Sequence, residues 1–141
     1  MTAKEFLSRA HRIDLRINSK LEQVQSLSDL AEKATSTLSD LPFSGTRNIH
    51  RMEDVIVKIL DLESEIKDDI EKLVETKREI KETVERVPTA SHRTLLELRY
   101  ICGKTWEDIA AEMHYSVRNV HILHGAALRE MERAVLKSAA G

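Results

Sequence analysis

The chain has 141 residues, with 22 Lys plus Arg against 24 Asp plus Glu, for a formal net charge of −2. Charged residues make up 33% and apolar ones 41%, but aromatics only 4%, and there are four Gly, two Pro and one Cys. Balanced charge, aliphatic content and scarce breakers exclude sheet-rich, collagenous and disordered classes and point to long amphipathic helices.

A single cysteine excludes an internal disulfide framework and suits a reducing compartment. Lys58 stops the apolar run Val55-Ile56-Val57, far short of the roughly 18 residues needed to span a bilayer. Glu5 and Arg9 interrupt any secretory leader. A soluble cytoplasmic protein without a membrane partner is expected.

Pro42 and Gly45 mark a turn within Ser39–Thr46, Pro88 disfavours helix at Val87, and Gly103 ends a later segment. These breakers predict helices over about 2–39, 48–87, 89–102, 105–113 and 117–138. The first opens with Thr2 and Glu5 at capping-box spacing. Its apolar residues keep a heptad: Ala10, Ile17, Val24, Ala31 and Leu38 on one line; Phe6, Ile13, Leu27, Ala34 and Leu41 on the other, with Lys20 intruding. The second long segment repeats this with Met52, Ile59, Ile66, Leu73, Ile80 and Val87. Its companion line is read as Ile56, Ile70 and Val84, broken by Glu63 and Lys77. Heptads sustained this far predict a packed seam.

Residues 1–87 are therefore expected to form a long antiparallel helical hairpin, coiled-coil-like, with Lys77 level with Asp14. Such a hairpin leaves Leu7, Leu30, Leu60, Leu62 and Val74 uncovered, so its expected role is spacer or dimerisation element of a homodimer. Its charges, fifteen Lys/Arg against eighteen Asp/Glu, are mixed along solvated faces.

Residues 88–141 carry the specific pattern. Two short helices joined by a tight turn enclose a core when certain positions are apolar and one is small. Ile109, Met113, Ala110, Tyr115, Val120 and Leu123 fall at those positions, with Tyr115 expected to fold inward. Thr105 and Ser116 supply the caps, and His114 stands where the turn needs left-handed geometry. The helix before it, Arg93–Ile101, with Thr89 or Ser91 as N-cap, completes a three- or four-helix unit. The fold class is all-α, a long hairpin followed by a helix-turn-helix domain.

The string from Leu95-Leu96-Glu97-Leu98-Arg99-Tyr100 through Thr105-Trp106-Glu107-Asp108-Ile109-Ala110 to Ala127-Leu128-Arg129 resembles region 4 of bacterial sigma factors. Arg99-Tyr100, Tyr115-Ser116-Val117-Arg118, Leu123-His124-Gly125 and His50-Arg51-Met52-Glu53 are similar to small phage and prophage regulators of the ArpU/RinA type, in an uncharacterised Gram-positive phage branch. The resemblance implies a DNA-binding transcriptional regulator in the cytoplasm of a bacterial host, an activator acting with RNA polymerase.

Recognition helices reach base edges with their N-terminal residues. Arg118 can pair bidentately with guanine, Asn119 with adenine, and His121 can donate to an acceptor, while Val117 and Ile122 suit thymine methyls. Phosphate contacts are expected from Thr105 and Ser116 at helix N-termini, and from Arg93, Lys104 and Arg129. Gly125 would let the helix lie close to the DNA backbone.

Seven Lys/Arg against six Asp/Glu in residues 88–141 support only about three to five phosphate contacts per copy, so two copies or RNA polymerase should be needed for tight binding. His121 and His124 are spaced as a ligand pair, but no accompanying zinc or carboxylate motif exists, so no metal is expected. Neither a catalytic constellation nor a cofactor motif is found, so no enzyme and no cofactor are expected. Trp106 is expected to pack across its helix, His124 to be a packed edge residue, and Cys102 to be a small buried one. The competing class is a non-DNA scaffold or adaptor that uses the helix-turn-helix to grip protein.

Overall fold

A computed structural model of the chain describes residues 1–38 and 45–136, with side chains described over 1–34 and 49–136. The turn expected around Pro42, and the end of the last expected helix beyond Leu136, lie outside the described residues. All regular structure among the described residues is helical.

Helix α1 (Ala3–Leu7) starts on a reciprocal capping box: the Glu5 N–H donates to the Thr2 hydroxyl while the Glu5 carboxylate accepts from the Thr2 N–H. Ser8 departs from helical geometry at ψ −6°, so the first segment is two helices, α1 and α2 (Arg9–Leu38). The second long helix, α3, runs Gly45–Val84, about 60 Å at 1.5 Å per residue. Helix α4 (Ala90–Leu96) widens into a π-helical turn over Glu97–Ile101, followed by α5 (Trp106–Met113), α6 (Val117–Met131) and a second π-helical turn, Glu132–Leu136.

The chain forms two compact units. One comprises Ile13–Lys72; the other comprises Met1–Arg12 with the described part of Leu73–Gly141.

In the first unit α2 and α3 run antiparallel. Lys20 Nζ lies 2.7 Å from Asp69 Oδ2, with Arg16 3.6 Å from the other oxygen, and residues from Ser19 to Leu27 face Lys58, Asp61 and Leu62 across an open groove. The hydrogen bond from Lys20 holds the Asp69 carboxyl below its ordinary pKa. The polar intruder that finds an acid is therefore Lys20; no Lys77–Asp14 pair is among the ion pairs of the described residues.

The seam on α3 also departs from expectation. Met52, Ile59 and Ile66 turn inward, but their companion line is Val55, Leu62 and Asp69, three residues ahead, not Ile56, Glu63 and Ile70, four ahead. Ile56 and Ile70 are 48% and 46% exposed. Both lines keep heptad spacing, so periodicity alone allows either. Only the first places an anion against Lys20, whose charge would otherwise lie in the seam without compensation.

In the other unit, the end of α3 continues the same line with Thr76 and Thr83, both buried; the Thr83 hydroxyl satisfies itself on the Glu79 carbonyl at 2.8 Å. Ala3, Leu7 and Ala10 join Ile80, Val84, Val87, Leu95, Leu96, Ile109, Val120, Ala127 and Met131 in one core. The division by packing is thus not the one that the breakers suggest at 87/88. Val87 is wholly buried with the helix-turn-helix residues because Arg93 donates to the Val87 and Pro88 carbonyls, at 2.6 and 3.0 Å, and ties the end of α3 to α4. The N-terminus is held too: the Ala3 N–H donates to Glu132 Oε1 at 2.9 Å.

Candidate nucleic-acid interface

Helices α5 and α6 form a helix-turn-helix whose local chemistry is complete. The Thr105 hydroxyl accepts from the Asp108 N–H and the Ser116 hydroxyl from the Asn119 N–H, each at 3.1 Å. His114 closes α5 in the left-handed region at φ 61°, ψ 38°, a conformation that costs a non-glycine residue roughly 1–2 kcal/mol. Ile109, Ala110 and Val120 are buried between the helices, with Met113 and Leu123 packed at the margin. Tyr115 is the exception among the six expected core positions. It is 45% exposed, because left-handed His114 directs the Tyr115 backbone, not its ring, into the turn: its N–H donates to the Ala110 carbonyl at 3.0 Å.

A polar-aromatic cluster sets the orientation of α6. The Arg99 guanidinium lies 4.3 Å over the Trp106 ring and donates to the Lys104 carbonyl at 2.9 Å. Trp106 in turn meets His121 at 4.9 Å and His124 at 4.7 Å between ring centres. The Tyr100 hydroxyl and His124 Nε2 share a 2.6 Å hydrogen bond. Burial, helped by the positive charges of Lys4 and Arg99, pushes the His124 pKa down to about 4, so the imidazole is neutral at physiological pH. The Arg99-Tyr100 pair thus acts architecturally. Cys102, expected to be buried, is exposed. Gly103, at φ 69°, turns the chain away immediately after it, so the thiol never reaches the core.

A second tie went unnoticed in the sequence. Glu130 on α6 accepts from the Thr89 N–H at 3.0 Å and from its hydroxyl at 2.7 Å, and His92 lies 3.3 Å away. These bonds hold the Glu130 carboxyl below its ordinary pKa. Thr89 is the N-cap of α4, yet its side chain serves Glu130 and not its own helix. The only sequence signal was a helix N-terminus in need of an acceptor, which does not specify a residue 41 positions away.

The outward side of α6 presents Val117, Arg118, Asn119, His121 and Ile122 together, all exposed, with Ile122 at 60%. Thr105, Ser116 and Arg129 are also exposed. Neither Arg118 nor Arg129 takes part in an ion pair among the described residues. Two expected phosphate ligands are otherwise engaged. Arg93 is bound to backbone carbonyls as described, and Lys104 pairs with Glu112, which raises the lysine pKa. Among the described residues, no group of three His, Cys, Asp or Glu could hold a metal ion, and no helix is long and apolar enough to cross a membrane.

Gly125 lies on α6 beside this face, and a Cβ there would meet only Arg129 Nη1 at 3.4 Å, an ordinary contact with a flexible side chain. Nothing in the fold requires glycine. Gly125→Ala is therefore expected to stabilise the protein by roughly 0.5–1 kcal/mol through helix propensity, as read from thermal or urea unfolding.

These features define the class: an all-α protein in which a helix-turn-helix is braced by the end of a long helix and by the N-terminal segment. Residues 33–132 match the model of a family described as a protein of unknown function, DUF1492, and the chain belongs to that family. No curated protein and no solved structure matches it.

Proposed function

We propose that the chain is a sequence-specific DNA-binding transcriptional regulator of phage or prophage origin, an activator working with RNA polymerase, with α6 as its recognition helix. The observation that carries this reading is the division of α6 into two faces. Val120, Ala127 and Met131 are buried, while Arg118, Asn119, His121 and Ile122 project together from its N-terminal half. An exposed isoleucine among hydrogen-bonding side chains is chemistry suited to base edges, where apolar atoms meet thymine methyls. Gly125, unneeded by the fold, fits a close approach of the helix to the DNA backbone. The resemblance to sigma region 4 supplies the polymerase and the sign of regulation.

Selection of duplexes from a random pool by the full-length protein tests this. The expected result is a recurrent motif of a few base pairs, with Gly125→Ala weakening retention despite its greater stability. Recovery of random sequence at low salt would leave no specific reader.

A second reading, an adaptor or scaffold that grips protein through the same face, is favoured by one observation. With Arg93 and Lys104 engaged internally, few cations remain for phosphates, and counterion release is the main source of DNA affinity. The DNA reading then requires two copies joined through the hairpin, or help from polymerase.

A further inference from the structure

Helix α3 carries a second apolar line on the flank beside its seam, roughly a quarter turn round the helix. Ile56, Leu60, Ile70 and Val74 recur at heptad spacing and are 48%, 58%, 46% and 64% exposed. Glu63 and Lys67 lie on the same line, exposed, and neither takes part in an ion pair among the described residues. Scattered exposed aliphatics are ordinary on a soluble surface, but a heptad line of them is the signature of a helix partner.

We propose that this face binds a second copy of the chain, α3 against α3, antiparallel about a two-fold axis level with Glu65. A two-fold interface must complement itself, because every pairing of one residue with another across it occurs twice, once with the two copies exchanged. In this register Glu63 faces Lys67 of the second copy, Leu60 faces Ile70, Ile56 faces Val74, and at the rim Glu53 faces Lys77. Every charge on the line meets its opposite and every aliphatic meets an aliphatic, along about 36 Å of helix.

Other registers fail this test. A parallel pair sets Glu63 on Glu63 and Lys67 on Lys67. Sliding the antiparallel pair by one heptad sets Glu63 on Val74 and Lys67 on Ile70, or Leu60 on Glu63 and Ile56 on Lys67, desolvating each charge against an apolar side chain. Charge pattern therefore selects both orientation and register. The inference rests on the reading of the hairpin as a dimerisation element and does not depend on DNA.

Sedimentation equilibrium of the full-length chain, with far-UV circular dichroism as the folding control, provides the test. The wild type is expected to be a dimer, and Leu60→Glu a monomer of unchanged helicity, since Leu60 is exposed within one copy. Glu63→Lys and Lys67→Glu are each expected to raise the dissociation constant about tenfold, because each places two like-charge contacts in the dimer. The double variant Glu63→Lys/Lys67→Glu should restore it to within about threefold of wild type, since the swapped charges again face opposites. A monomeric wild type would overturn the dimer itself. A dimer indifferent to Leu60→Glu, or a double variant no better than the singles, would leave a dimer but overturn this surface and register.

Discussion

Arg118→Glu is expected to weaken binding to a selected duplex by at least about 100-fold while leaving the melting temperature unchanged. On the proposed reading of α6 as a recognition helix, two terms add. The guanidinium lost from the groove is worth about 1–3 kcal/mol of base discrimination, and the carboxylate gained repels the phosphates on either side. The fold loses nothing, because Arg118 is exposed, without an ion pair among the described residues, in the first turn of α6. A carboxylate near a helix N-terminus is mildly favourable, so any change in stability should be upward. Fluorescence anisotropy with the selected duplex, beside a thermal melt, reads both quantities. Equal affinity of wild type and variant would remove α6 from the DNA and favour the adaptor reading.

Acidification should destabilise the protein between about pH 6.5 and pH 4, and His124 should be a leading cause. The folded imidazole, wedged between Tyr100 and Trp106, takes its proton only near pH 4, whereas the unfolded chain takes it up near the ordinary value of 6.5. The unfolded state therefore binds more protons in that window, and stability falls as pH falls through it. Above 6.5 the contribution is complete; below 4 both states are protonated and no further loss comes from this group. The expected loss is about 2 kcal/mol, allowing for partial solvent screening. Urea unfolding at pH 7 and pH 4.5 measures it, and His124→Gln should flatten the difference. An NMR titration that places the His124 pKa near 6.5 would contradict the argument, since burial and the nearby Lys4, Arg99 and His121 charges are its cause.

How much of this was legible in the sequence depends on how far apart the deciding residues lie. The caps were readable because each is local: Thr2 with Glu5, Thr105 with Asp108, and Ser116 with Asn119 are three residues apart. The left-handed turn at His114 was readable from the spacing of Ile109, Ala110 and Val120 around it. The outward set on α6 followed from helical periodicity once the buried stripe was known. Arg93, Lys104 and Tyr115 were another matter, because exposure of a side chain near a turn depends on which backbone groups need a partner, and composition does not disclose that.

The amino-acid sequence by itself determined that the chain is helical, where α5 and α6 begin, and that α5 and α6 pack as a helix-turn-helix. Those outcomes follow from short-range hydrogen bonding and from the period of apolar residues. Tertiary structure alone decided which of two equally spaced lines on α3 turns inward, since that choice rests on an ion pair between Lys20 and Asp69, 49 positions apart. It likewise decided that α1 and the end of α3 share a core with the helix-turn-helix, and that Glu130 serves Thr89. Each is a contact between residues remote in the chain, where heptad spacing allows several partners and only simultaneous burial and charge compensation choose one.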